Sequence, residues 1–244
     1  MRLNHALLGL LLVCAAAPAV AQDPFEIQVY EYELVPKGKY DLETHFNHTF
    51  KGDVATHLTW EFTRGWTDRF ETAVYLLTSS RPGVTDEFAG WHVRPRFNLP
   101  ESWLPFKFSL STEIGFPQAP YETAKWTIEL RPIFEWNWGK VQIDVNPTMG
   151  KGFGGPVPNG GWDLEPAVRL GLPDMGKWAW SLEYYGSYGE LKNIAPYKQE
   201  VHQFYPGFDY NYNDKLVLNV GVGMAMTGAG NQLVGKTRLG WIFP

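Results

Sequence analysis

What this 244-residue chain lacks narrows it quickly. Its one cysteine, Cys14, lies in an N-terminal leader, so the mature chain holds no thiol, and disulfides and cysteine-based metal sites are excluded. No run of 18 apolar residues occurs, which excludes a spanning helix. Lys and Arg number 21 against 26 Asp and Glu and form no basic cluster, so a nucleic-acid partner is not expected. No G-x-S-x-G segment is present, and Ser109 and Ser111 cannot be joined to a His and an acid in a hydrolase arrangement.

What is present begins with a secretory leader over residues 1–21. Arg2 and His5 form its charged start, Ala6 to Ala17 its apolar core, and Ala19-Val20-Ala21 an A-x-A site that places cleavage after Ala21. Leu11-Leu12-Val13-Cys14 has the outline of a lipobox, but Val13 is too large for the position before the cysteine. Cleavage removes Arg2 and no acid, making the mature chain one charge more negative.

From about residue 39 to Phe243-Pro244 apolar and polar residues alternate in blocks of roughly ten, the length of a membrane-crossing strand. Tyr40, Leu42, Thr44, Phe46, His48 and Phe50 share one face of the first block; Asp41, Glu43, His45, Asn47 and Thr49 share the other. Block ends are crowded with aromatics: Phe62, Phe70, Phe97, Phe106, Trp178 and Trp241 toward one side, Phe50, Trp91, Phe116, Trp126 and Trp162 toward the other. Aliphatics such as Val74, Leu110 and Val220 lie between. Aromatic girdles around an aliphatic band mark an outer-membrane barrel. The fold expected is all-β: a single transmembrane antiparallel up-and-down barrel of about twelve strands over residues 39–244, in the outer membrane of a Gram-negative bacterium. Its partners are outer-membrane lipid, the barrel-assembly machinery and a small-molecule solute. The strand-like segment Phe25–Leu34 would make the count odd, so residues 22–38 are expected in the periplasm or against the barrel base. Pro95, Pro132, Pro147, Pro166 and Pro206 fall inside expected strands, where a closed barrel offers no free edge for them.

Gly65-Trp66-Thr67-Asp68-Arg69-Phe70-Glu71 resembles a G-[LW]-T-D-[RK]-x-E hairpin of a bacterial family named for the MetA pathway of phenol degradation. Asn213-Asp214-Lys215-Leu216 with Asn219-Val220-Gly221-Val222-Gly223 resembles that family's later hairpin. The resemblance implies a channel-like protein linked to uptake of small, often aromatic compounds, and it supplies no catalytic residue.

The inward phase carries the chemistry. Candidate lumen and constriction residues are Glu43, His45, His57, Glu61, Arg94, Arg96, Glu113, Glu129, Arg131, Asp144 and Arg238. Counting back from a turn at Trp136–Gly139 sets Arg131 opposite Asp144, a favourable cross-strand pair. His45 and His48 have a metal-like spacing but point to opposite faces of a strand. His45 and His57 share the inner face on neighbouring strands, where an interior histidine satisfied by its surroundings is the simpler reading than a metal ligand or base. Gly150-Lys151-Gly152-Phe153-Gly154-Gly155 fits G-x-G-x-x-G but precedes no helix, so no phosphate cradle follows. No catalytic, cofactor or metal site is expected. The function expected is a narrow channel passing a small neutral or aromatic solute; the alternatives are a lipid-modifying outer-membrane enzyme and a sealed structural barrel.

Overall fold

Each alternating block is a strand in the computed structural model, which describes residues 23–118, 121–155, 160–172 and 175–244. The leader and its cleavage site lie outside the described residues. The first strands are β1 (Tyr40–Lys51), β2 (Thr56–Thr67), β3 (Phe70–Arg81), β4 (Val84–Asn98) and β5 (Lys107–Pro117). They continue as β6 (Trp126–Trp138), β7 (Val141–Phe153), β8 (Asp163–Gly171) and β9 (Trp178–Ser187). A two-residue hairpin, β10 (Gly189–Glu190) and β11 (Asn193–Ile194), precedes β12 (Val201–Asn213), β13 (Leu216–Ala225) and β14 (Leu233–Phe243). Apart from that hairpin, twelve strands form one antiparallel wall. It closes where β1 pairs with β14, from Tyr40↔Phe243 to Lys51↔Leu233, and where β8 pairs with β9.

The wall is inside-out relative to a soluble sheet. Along β2 the polar residues are the buried ones: Glu61 is 3% exposed, while Trp60 and Phe62 beside it are 38% and 45% exposed. Water would not tolerate a continuous belt of such side chains, and lipid does. Aromatics stack at the level of the longer loops, Trp91 on Phe116 at 4.3 Å and Trp126 on Phe153 at 4.2 Å. At the opposite end Trp178 packs on Phe208 and Tyr210. Arg at the lipid-facing Val74 or Leu110 should therefore cost about 2–4 kcal/mol. Arg at Gln142, whose amide already bonds Glu31 and Asp144 inside the barrel, should cost far less. Urea titration of the folded gel species reads both; equal losses would reverse the assignment of faces.

The prolines fit because each sits beside an interruption of one of its two ladders. Pro95 pairs with Thr72 of β3 while the β4–β5 register skips from Val93 to Arg96. Pro132 pairs with Leu110, and Pro147 with Pro166, but the β6–β7 register skips from Leu130↔Met149 to Phe134↔Val145. Pro166 lies just outside the β8–β9 pairing, and Pro206 in a gap between β12 and β13. The missing N–H groups thus lie beside places where no ladder bond is required.

Two expectations are corrected. The β6–β7 turn is the two-residue Gly139-Lys140, because Trp138 pairs with Val141; this moves the register by four residues and sets Asp144 opposite Glu135, not Arg131. An even shift leaves both side chains facing inward. The larger correction concerns the segment expected outside the barrel: residues 23–38 run through its lumen.

Candidate functional site

An extended segment inside a barrel has no neighbouring strand, so its backbone groups need other partners. Wall side chains supply them. Asn47 and Thr59 donate to the carbonyls of Pro24 and Phe25, both at 2.9 Å. Asn146 acts as a one-residue ladder, accepting from Tyr30 N–H at 2.7 Å and donating to its carbonyl at 3.0 Å. Asn98 donates to the Tyr32 carbonyl at 2.7 Å, while the Tyr32 and Val35 N–H groups donate to Glu135 and Glu71. Arg96 and Lys236 donate to the carbonyls of Glu31 and Ile27. These partners come from seven strands, β14, β1 to β4, β6 and β7, while β8, β9 and β12 meet this strap through Ala167, Tyr185 and Tyr205.

The strap begins among the longer loops, where Phe25 packs edge-on to His57 and Tyr121. It leaves at the opposite end, where Gly38 N–H donates to the Gly65 carbonyl at 2.8 Å. Gly65 is needed there, since a Cβ on it would stand 2.2 Å from the Val35 carbonyl oxygen. Apolar strap residues supply what apolar core the barrel has. Phe25 joins Ala73, Tyr75, Leu77 and Ala89; Ile27 and Val29 join Ala167, Tyr185, Tyr205 and Val234. Tyr205 in turn lies over Gly223, where a Cβ would come within 2.1 Å of its ring.

The opposite side of the strap meets the charges. The Tyr30 ring lies among three guanidinium groups, 4.9 Å from Arg94, 5.3 Å from Arg96 and 4.3 Å from Arg131. Its hydroxyl donates to Glu26 and lies 2.9 Å from the Tyr75 hydroxyl. Arg94 reaches Glu61 at 2.6 Å and Glu71 at 3.3 Å, and Arg96 reaches Glu71 at 3.7 Å. Cations stacked on an aromatic face and tied to carboxylates form a rigid, desolvated ring.

All the candidate residues line this interior, but in several local networks. Glu43 pairs with Arg238 at 2.9 Å, Glu129 with Arg131 at 2.8 Å, and Asp144 with Arg169 at 3.4 Å. Glu113 pairs with His92 at 2.6 Å, a histidine the candidate set omits. His45 lies between Glu43 and Glu61, and His57 stays diagonal to it, since Asn47 faces His57 and His45 faces Thr59. Ser109 is committed to Asn98, 2.6 Å away. Glu26 and Tyr30 were missed because their segment reads as a strand without a place in the wall.

Two cavities flank the ring. One of about 580 Å³ is lined by Gln28, Tyr30, Glu43, Arg94 and Arg238 and reaches Lys140 and Lys215 at the short-turn end. The other, about 730 Å³, is lined by Phe25, Ile27, His57, His92 and Tyr121 and reaches Arg81 and Asn231 among the longer loops. Their linings change over between Ile27 and Gln28 of the strap.

No protein-family model and no curated protein matches the sequence. Solved structures do. The chain is similar to an outer membrane channel from Pseudomonas putida F1, with a TM-score of 0.61 and 12% identity over 89% of this chain and 100% of that one. It is similar to the KdgM porin (TM-score 0.57, 6% identity, 84% and 99% covered) and to the NanC porin (0.57, 9%, 82% and 98%). At these identities the likeness is one of fold, the closed twelve-stranded antiparallel barrel of outer-membrane proteins.

Proposed function

We propose that this protein is a narrow outer-membrane channel for a small neutral or aromatic solute, exported by its leader and occluded at rest by the strap. One observation carries the reading: two cavities, each of several hundred Å³, enter a polar lumen from opposite ends and are separated by one extended segment and a ring of side chains. A sealed structural barrel would need no such vestibules. The hairpins Gly65–Glu71 and Asn213–Gly223 support the finer affiliation with the MetA-pathway family and its link to aromatic compounds. Gly65 and Glu71 of that first hairpin are also the residues that accommodate the strap's exit.

Charge sets the expected selectivity. At the ring, acids and bases are paired, which disfavours either ion. The larger cavity is different: Asp23, Asp53, Glu122, Asp163 and Glu165 line it along with the paired Glu113 and Glu129, against Arg81 and Lys151. An acidic vestibule raises the local cation concentration. In planar bilayers the purified protein should show small conductance with a modest cation preference, and Asp163→Asn with Glu165→Gln should reduce that preference. A folded barrel that stays silent, in cells whose solute permeability is unchanged by its deletion, would establish the sealed reading instead. The engaged strap backbone is what favours that second reading.

A further inference from the structure

Two lumen histidines meet carboxylates in different ways. His92 Nδ1 stands 2.6 Å from Glu113, the distance of a charge-assisted hydrogen bond. Among the described residues His45 Nε2 is buried without a hydrogen-bond partner and has two carboxylate oxygens farther off, Glu43 Oε2 at 3.4 Å and Glu61 Oε2 at 3.6 Å. Glu61 Oε2 is likewise buried without one, its other oxygen being taken by Arg94. From the strap, Glu26 brings a third acid: one ligand atom each of Glu26, His45 and Glu61 lie within 4.8 Å of one another.

The sheet register concentrates acid around His45. Glu43 and Glu61 face each other directly across β1 and β2, an arrangement that repels unless positive charge lies between them. Arg238 and Arg94 each serve one of the two. Ligands around a shared cation do not touch; bonds of about 2.0–2.2 Å in a tetrahedron hold donor atoms roughly 3.3–3.6 Å apart. The 3.6 Å separation of His45 Nε2 from Glu61 Oε2 has that spacing, and imidazole with carboxylates suits zinc among the divalent ions.

We propose that Glu26, His45 and Glu61 form a three-residue divalent-cation site of the zinc class that staples the strap to β1 and β2. The ion would join three segments of the chain at the level of the occluding ring, making the hold on the strap metal-dependent. The Asp23, His92 and Glu113 group does not compete for this role, because its histidine is already hydrogen-bonded.

The test uses full-length protein in detergent, stripped with EDTA and titrated with Co²⁺ while visible absorption is recorded, then with Zn²⁺ as competitor. One Co²⁺ per chain is expected, displaced by Zn²⁺, with Glu26→Gln and His45→Gln each weakening binding at least tenfold and His57→Gln leaving it unchanged. Glu26 is outside the wall, so Glu26→Gln retains the barrel even where His45→Gln does not fold; heat-modifiable gel migration verifies folding of each. A folded wild-type protein with no stoichiometric Co²⁺ band, or a band that survives Glu26→Gln, overturns the site. The readout is optical, so its failure is separate from any failure to conduct.

Discussion

Deleting residues 23–33 behind the leader should convert a barely conducting barrel into one with severalfold larger single-channel conductance. The strap runs through the lumen, lining the cavity of about 730 Å³ up to Ile27 and the cavity of about 580 Å³ from Gln28 onward. Without Glu26 and Tyr30, the Arg94, Arg96 and Arg131 guanidinium groups lose the ring that gathers them toward the centre. The wall amides of Asn98 and Asn146 would turn to water, which enters a polar lumen of this width readily. Leu34 to Gly38 remain to start β1. Conductance in planar bilayers and uptake of a small hydrophilic solute by cells are the measurements. A folded truncated barrel with unchanged conductance would show that the barrier is the wall's own charged side chains.

Arg94→Met should be the most damaging single substitution in the lumen, costing about 3–5 kcal/mol, because it leaves buried carboxylates without their cation. Arg94 is 3% exposed and serves both Glu61 and Glu71. Adding Glu61→Gln should restore part of the loss, since the remaining amide needs no counter-charge. Urea titration of the four species closes the double-mutant cycle. A loss below about 1 kcal/mol, in the range of solvated ion pairs, would mean that the ring is wet. In conducting variants, neutralising Arg94 and Arg96 together should move selectivity toward cations as Glu61 and Glu71 take over the local field.

The wall was legible because alternation is a direct record of two environments. Glu61 between Trp60 and Phe62 can only mean one polar and one apolar side, and the structure has that arrangement. Pairing across the wall was less legible. It depends on turn length, and the sequence reads as a four-residue turn over Trp136–Gly139 where the structure has a two-residue turn at Gly139-Lys140, with Trp136 and Trp138 still in the strand. Individual partners such as Glu129 for Arg131 follow register and rotamer together, so residue type alone does not fix them. The strap was misplaced for a different reason. Phe25–Leu34 alternates as a strand does, but its partners are side chains of Asn47, Thr59, Asn98 and Asn146, dispersed over the sequence with no ladder pattern. The even strand count held the usable signal: a thirteenth alternating segment needs polar partners, and only the lumen offers them in number.

The strap continues without a break into β1, and β1 is one side of the β1–β14 seam. The first wall strand is therefore tethered to the filling, and the last strand made is the one that completes the circle. Posting the strap through a finished ring would drag Phe25, Glu26 and Tyr30 past a gauntlet of guanidinium groups and carboxylates. The wall is more naturally wrapped around its contents, as a cask is hooped around a mandrel. A barrel wrapped in this way would start out full, and a solute could pass only after the strap had been drawn aside.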